Sequence, residues 1–138
     1  MKSVGIVGGL GPETTAEFYL KLIEKSRKYS KSYPHIIIDS VPLDFSIEDE
    51  MIIEGKNKHR LLPYLTGAVK RLQYIDLIVI PCNTAHIFIQ NLRRESEVPI
   101  ISVVEESIRE LKVRGYKKVG LLATTSTVQE KLFFDDEI

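Results

Sequence analysis

Pro81-Cys82-Asn83-Thr84-Ala85-His86 follows the apolar run Leu77-Ile78-Val79-Ile80 and precedes Ile87-Phe88-Ile89-Gln90-Asn91-Leu92. The first run reads as a buried strand and the second as a helix, so the only cysteine of the chain falls where a strand hands over to a helix. Open parallel sheets place ligands beyond the carboxyl ends of their strands. A helix start adds free N–H groups and positive potential, which favour a thiolate or a bound carboxylate. Asn83 or Thr84 is expected to cap that helix. The competing reading is a small buried hydrophobe, the usual fate of a free cysteine.

Similar alternation continues on both sides. Val4 to Val7 reads as a first strand and breaks into Gly8-Gly9-Leu10-Gly11-Pro12, where glycines permit a tight turn and close approach of a ligand. Pro12 suits the first turn of a helix running to Tyr29, and Glu13 suits its positive end. This is neither a Gly-x-Gly-x-x-Gly fingerprint nor a Walker loop, so nucleotide binding is not favoured. His35 to Val41 is a second strand whose continuous apolar run predicts burial on both faces. Phe45-Ser46-Ile47-Glu48-Asp49-Glu50 then starts a short helix or a flap over the strand ends. A helix over His59 to Tyr74 carries Leu61, Leu65, Ala68, Val69 and Leu72 on one side, with its regular part starting near Leu62 because of Pro63. Val98 to Val103 reads as a fourth strand, Ser107 to Val113 as its helix with a stop at Gly115, and Tyr116 to Leu122 as a fifth strand. Thr124-Thr125-Ser126-Thr127 makes a last strand-to-helix turn, with Thr124 a natural N-cap. Strands alternating with helices specify an α/β fold, a parallel sheet flanked by helices.

Composition narrows the classes. A chain of 138 residues with 43% hydrophobic and 28% charged residues is an ordinary globular balance. Its 19 basic and 19 acidic residues cancel, so no net field draws in nucleic acid or an anionic membrane. No apolar run is long enough to span a bilayer, and the N-terminal run is too short for a signal peptide. A single cysteine excludes an internal disulfide and fits the reducing cytoplasm. His86 has no second His or Cys at metal-ligand spacing, so no metal is expected. Cys82 and His86, four residues apart, leave a cysteine-hydrolase dyad open, though no Asp or Asn is placed to orient the ring.

Three stretches together resemble the aspartate/glutamate racemase superfamily, and look closest to its cofactor-independent aspartate racemase branch. They are Gly8-Gly9-Leu10-Gly11-Pro12-Glu13-Thr14-Thr15 with Phe18-Tyr19, the hexapeptide around Cys82, and Gly120-Leu121-Leu122-Ala123-Thr124 with Thr127. The resemblance implies two similar α/β domains facing each other across a cleft, each giving one cysteine. One thiolate removes the α-proton and the other thiol delivers a proton to the opposite face, without pyridoxal phosphate, metal or other cofactor. It implies Cys82 as a catalytic residue, with Leu10, Gly11, Asn83, Thr84, Ala85 and Thr124 binding the substrate.

By the same resemblance, residues 1–98 form the first domain with Cys82 and 99–138 an incomplete start of the second. The family's second cysteine is expected beyond position 138, so the chain reads as C-terminally truncated. The loop after strand two lacks the arginine that some aspartate racemases place there, and looks more like that of broader-specificity relatives. The expected partner is a small amino-acid substrate, with self-association as a homodimer or another assembly, and no nucleic acid or membrane. A catalytically silent module that binds a carboxylate or associates with itself is the alternative.

Overall fold

The computed structural model describes residues 2–52 and 54–137. Along the chain come β1 (Ser3–Gly8), α1 (Pro12–Tyr29), β2 (His35–Ser40), α2 (Phe45–Ile52), a 3-10 turn (Lys58–Leu61) and α3 (Leu62–Arg71). There follow β3 (Leu77–Val79), a second 3-10 turn (Thr84–Phe88), α4 (Ile89–Glu95), β4 (Ile100–Ile101), α5 (Val103–Val113) and α6 (Thr125–Gln129). The strands form one parallel sheet in the order β2-β1-β3-β4. The chain therefore moves one way from β1 to β2 and the other way from β3 to β4. At such a reversal the loops leaving β1 and β3 diverge and open a crevice at their carboxyl ends.

The sheet is held in register by Val4 opposite Leu77 and Ile6 opposite Val79 on one side of β1, and by Val4 opposite Ile36 on the other. Val7, Ile78 and Ile80 pack against the Leu65, Ala68, Val69 and Leu72 stripe of α3, with Leu92 and Ile100 completing the core. At roughly 1.5–3 kcal/mol for each large aliphatic side chain removed from water, this cluster is the main stabilising term. Pro63 stands at the start of α3, where its fixed φ and missing N–H cost nothing, and a 3-10 turn precedes it. Gly115 ends α5 with positive φ, while its N–H reaches Lys112 O and that of Tyr116 reaches Leu111 O. Those two bonds make a Schellman stop.

Three sequence expectations are corrected. β2 is not buried on both faces: it lies at the sheet edge, and Ile37 and Ile38 are 38% and 41% exposed. The fourth strand is only Ile100–Ile101, because Ser102 caps α5 and starts the helix at Val103. Residues 116–122 form no strand; they lie outside any helix or sheet, with Val119, Leu121 and Leu122 exposed. A strand needs a neighbour for its ladder, and among the described residues none lies alongside.

The glycine loop makes its close approach to the protein itself. A methyl at Gly8 would meet Thr15 Cγ2 at 2.4 Å, and one at Gly9 would meet the Val41 backbone at 2.8 Å. Gly9 also has φ +85°, and its N–H donates to Thr15 Oγ1 at 3.0 Å. Gly9→Ala is therefore expected to destabilise the chain by about 2 kcal/mol or more. Gly120→Ala, where an added methyl meets nothing within 4 Å, should leave stability within about 0.5 kcal/mol of the parent. Urea midpoints compare the two, and equal midpoints would refute the steric account of Gly9.

Candidate functional site

A cleft of about 470 Å³ opens at the β1/β3 crevice. One wall is Leu10 from the β1 loop together with Pro81, Cys82, Asn83 and Thr84 from the β3 end. Thr124 and Thr127 close it from the C-terminal segment, and Thr14, Glu17, Phe18 and Lys21 of α1 form the opposite wall. Five of the seven residues expected from sequence, Cys82, Leu10, Asn83, Thr84 and Thr124, thus meet in one place. Gly11 and Ala85 do not line the cleft: Gly11 O receives the Thr15 N–H and hydroxyl, and Ala85 is fully buried in the core.

Sequence reading missed the α1 wall, although Thr14, Glu17, Phe18 and Lys21 stand at i, i+3, i+4 and i+7 on one helical face. It also left Thr127 without a role. Thr84, Thr124 and Thr127 bring their hydroxyls into a triangle with edges of 3.0, 3.3 and 3.0 Å. Thr127 is fully buried, and beside it the Ser126 hydroxyl donates to Met51 O at 2.9 Å. These bonds hold the C-terminal segment over the cleft even though residues 116–122 join no sheet. Thr124 caps α6 as expected, accepting from Thr127 N–H at 3.3 Å.

The β3 end departs from expectation in two ways. Neither Asn83 nor Thr84 caps a helix: the turn is 3-10, Asn83 makes no side-chain cap bond, and the Thr84 hydroxyl points to the threonine cluster. The thiol is not depressed either. Burial pushes Cys82 above its ordinary value, and the backbone N–H groups of Ala85 and Thr84 near the sulfur pull it only partly back. The Glu48 carboxylate of α2 adds to the upward push. A short 3-10 turn supplies little dipole, so desolvation wins.

His86 does not pair with the cysteine sulfur. The ring is 2% exposed; its Nδ1 lies 2.8 Å from the Cys82 carbonyl oxygen, and its Nε2 accepts the Val103 N–H at 3.2 Å. Both nitrogens are thus engaged with backbone, which removes the hydrolase dyad. Burial chiefly pushes the imidazole below its ordinary value. Among the described residues, no group of three His, Cys, Asp or Glu side chains is placed to hold a metal, and no helix is long and apolar enough to cross a membrane.

A profile of the family described as Asp/Glu/Hydantoin racemase matches residues 7–138. The broad specificity amino-acid racemase RacX of Bacillus subtilis (strain 168) is 35% identical over 136 residues, covering 94% of this chain and 58% of its own. A glutamate racemase of Buchnera aphidicola subsp. Schizaphis graminum is 30% identical over 103 residues, covering 71% of this chain and 38% of its own. Among solved structures, an aspartate racemase homologue from Pyrococcus horikoshii OT3 superposes with a TM-score of 0.77 at 32% identity, over 96% of this chain and 58% of that one. Picrophilus torridus aspartate racemase gives 0.69 at 27%, over 96% and 57%. The chain thus spans a little over half the length of RacX and of both structures.

Two measurements check the electrostatics. Glu48→Gln removes a negative charge that raises the thiol pKa, so the midpoint of the Cys82 alkylation rate should move to lower pH; an upward move contradicts the placement of α2. A His pKa lowered on folding means the unfolded chain binds more protons below about 6.5. The stability contribution is therefore fully present above that pH and declines as pH falls through the window below it. Urea midpoints from pH 8 to 5 should show the decline in the parent and a flatter profile in His86→Gln.

Proposed function

Because the chain belongs to the Asp/Glu/hydantoin racemase family, we propose that it takes part in cofactor-independent racemisation of amino acids, with Cys82 as an acid/base thiol. The observation that carries this reading is the position of Cys82. It stands at the wall of the crevice beyond β1 and β3, with backbone N–H groups on its sulfur and hydroxyls of Thr84 and Thr124 beside it. Racemisation inverts the α-carbon, so a proton leaves one face and another arrives on the opposite face. A partly buried thiol whose pKa is pushed up rests protonated at neutral pH and is ready to donate. In the reverse direction the same sulfur, as thiolate, takes the proton from that face.

Substrate carboxylate recognition falls to Asn83, Thr84 and Thr124, with Leu10 packing on the side chain. Gly11 and Ala85 do not line the cleft and take no part in that contact. Hydrogen bonds to that carboxylate stabilise the charge that develops as the α-proton leaves. A single fixed thiol serves one face of the α-carbon, so in this reading Cys82, the one cysteine of the sequence, supplies one half of a two-base pair. Residues 1–98 are read as a first α/β unit and 99–138 as the opening of a second, with β4 and α5 still docked on the first sheet. A single cysteine suits a reducing compartment such as the cytoplasm, and exposed apolar residues of the C-terminal segment favour self-association.

Side-chain specificity is proposed to be broad. The α2 segment carries Glu48, Asp49 and Glu50 and no arginine, while Arg60 is tied to Glu50 at 2.7 Å. Among the described residues, Lys21 is the one cation lining the cleft, and it pairs with Glu17 at 2.7 Å. An acidic side chain thus finds no dedicated partner, in keeping with a RacX-like rather than an aspartate-dedicated site. The second reading, a catalytically silent carboxylate-binding or self-associating module, is favoured by the upward-shifted thiol and by the unpaired segment 116–122.

Incubation of L-aspartate and a panel of neutral L-amino acids in deuterated water, read by NMR and chiral separation, decides between them. Exchange into both enantiomers that Cys82→Ala abolishes by at least about 100-fold supports the racemase. Cys82-dependent exchange without inversion supports a half-site, and no exchange with any substrate favours the silent module.

A further inference from the structure

We propose that His86 is the positioning residue for Cys82, bridging the Cys82 carbonyl and the first N–H of α5 as a neutral ring protonated on Nδ1. The need for such a bridge follows from the local hydrogen-bond register. In an α-helical start the His86 N–H would serve the Cys82 carbonyl four residues back; in the 3-10 turn it donates to Asn83 O at 2.9 Å instead. The Cys82 carbonyl is thereby left off the ladder. At the neighbouring strand end, Ser102 Oγ accepts from Glu105 N–H and Ser102 O from Glu106 N–H, which leaves the Val103 N–H over. The two leftovers are opposite in kind, an acceptor after β3 and a donor before α5, and the imidazole fits between them.

The tautomer follows from the donor. An amide N–H can only donate, so Nε2 must carry the lone pair, and the ring proton sits on Nδ1, where it donates to Cys82 O. The ring cannot tip without breaking one bond, and it is enclosed at 2% exposure. Charged groups around it are tied to one another: Arg93 of α4 holds Glu105 of α5 at 2.6 and 2.8 Å and the Ile100 carbonyl at 3.0 Å. The α5 start is thus fixed, and through His86 it fixes the Cys82 peptide. That peptide sets whether the sulfur meets the N–H groups of Thr84 and Ala85. His86 therefore acts on the thiol without touching it.

The role in proton transfer rests on the racemase reading of Cys82, but the positioning itself does not. Alkylation of Cys82 by iodoacetamide across pH, in the full chain, reads it directly. Asn at 86 places an amide N–H at the Nδ1 position and lacks the Nε2 acceptor; Gln reaches the Nε2 position and loses the Nδ1 donor. Each variant cuts the bridge at one end, so both are expected to raise the alkylation midpoint: His86→Gln, which loses the bond to the Cys82 carbonyl, by about one unit, a roughly tenfold slower reaction near neutral pH, and His86→Asn by about half a unit. Urea midpoints measured alongside should not follow that order, since each variant orphans one backbone group. Equal midpoints in the two variants overturn the proposal.

Should His86→Gln fail to fold, nitrogen-15 NMR of the parent decides. A protonated Nδ1 and a bare Nε2 support the bridge, and the opposite tautomer refutes it. Absence of any Cys82-dependent exchange in the parent would sink the racemase reading while leaving these outcomes intact.

Discussion

A buried parallel strand has to end without orphaning backbone groups, and that requirement at the β3 terminus shapes everything near the cleft. Ile78 N–H is taken by Pro99 O across the sheet, and Cys82 N–H turns back to Ile80 O. The following turn is 3-10 rather than α, so one carbonyl is skipped and a side chain has to fill in. His86 does so, and its second nitrogen draws in the start of α5. Leaving either of these backbone groups unpaired would cost about 1–3 kcal/mol, a large fraction of the margin that holds a small domain folded. The site is therefore not decoration on a finished scaffold; the same bonds terminate the strand and place the sulfur.

What could be read from sequence was local. The apolar runs of β1, β3 and the α3 stripe carry their own periodicity, and Pro63 and Gly115 announce their helix boundaries without tertiary help. The cleft's main residues were also legible, because a strand-end cysteine and a hydroxyl-rich turn fall at one sheet edge once the strands are parallel. The α1 wall was legible in principle, as Thr14, Glu17, Phe18 and Lys21 share one helical face. It was passed over because nothing local distinguishes the cleft-facing stripe of an amphipathic helix from its solvent side.

The rest was set by partners distant in the chain. Ile36-Ile37-Ile38 looks the same whether a strand is central or at an edge, and only the order β2-β1-β3-β4 makes it an edge. Val119-Gly120-Leu121-Leu122 has strand composition, yet composition supplies no neighbour, and the segment stays irregular and exposed. Anchors downstream come from Ser126 to the Met51 carbonyl and from Lys58 to Glu130, contacts that no spacing in the sequence announces. Likewise the register of the turn after Cys82, and with it the fate of both His86 nitrogens, depends on where β3 ends in three dimensions.

The thiol illustrates how these scales compete. A strand-to-helix junction predicts a stabilised thiolate, and the two N–H groups on the sulfur act in that sense. Enclosure by Leu10, Pro81 and α1 removes water that a thiolate would need, and Glu48 lies close enough to oppose negative charge. Desolvation outweighs two neutral donors because an ion loses solvation over its whole surface, while each N–H returns one bond. A free chain of this kind holds its proton. Under the proposed racemase reading, a zwitterionic substrate would alter the balance by bringing its ammonium into the cleft, since an opposite charge within a few ångström lowers a thiol pKa. Burial and ligand charge together would let Cys82 rest as an acid and become a base when its substrate arrives, a division of labour that a permanently exposed thiolate does not provide.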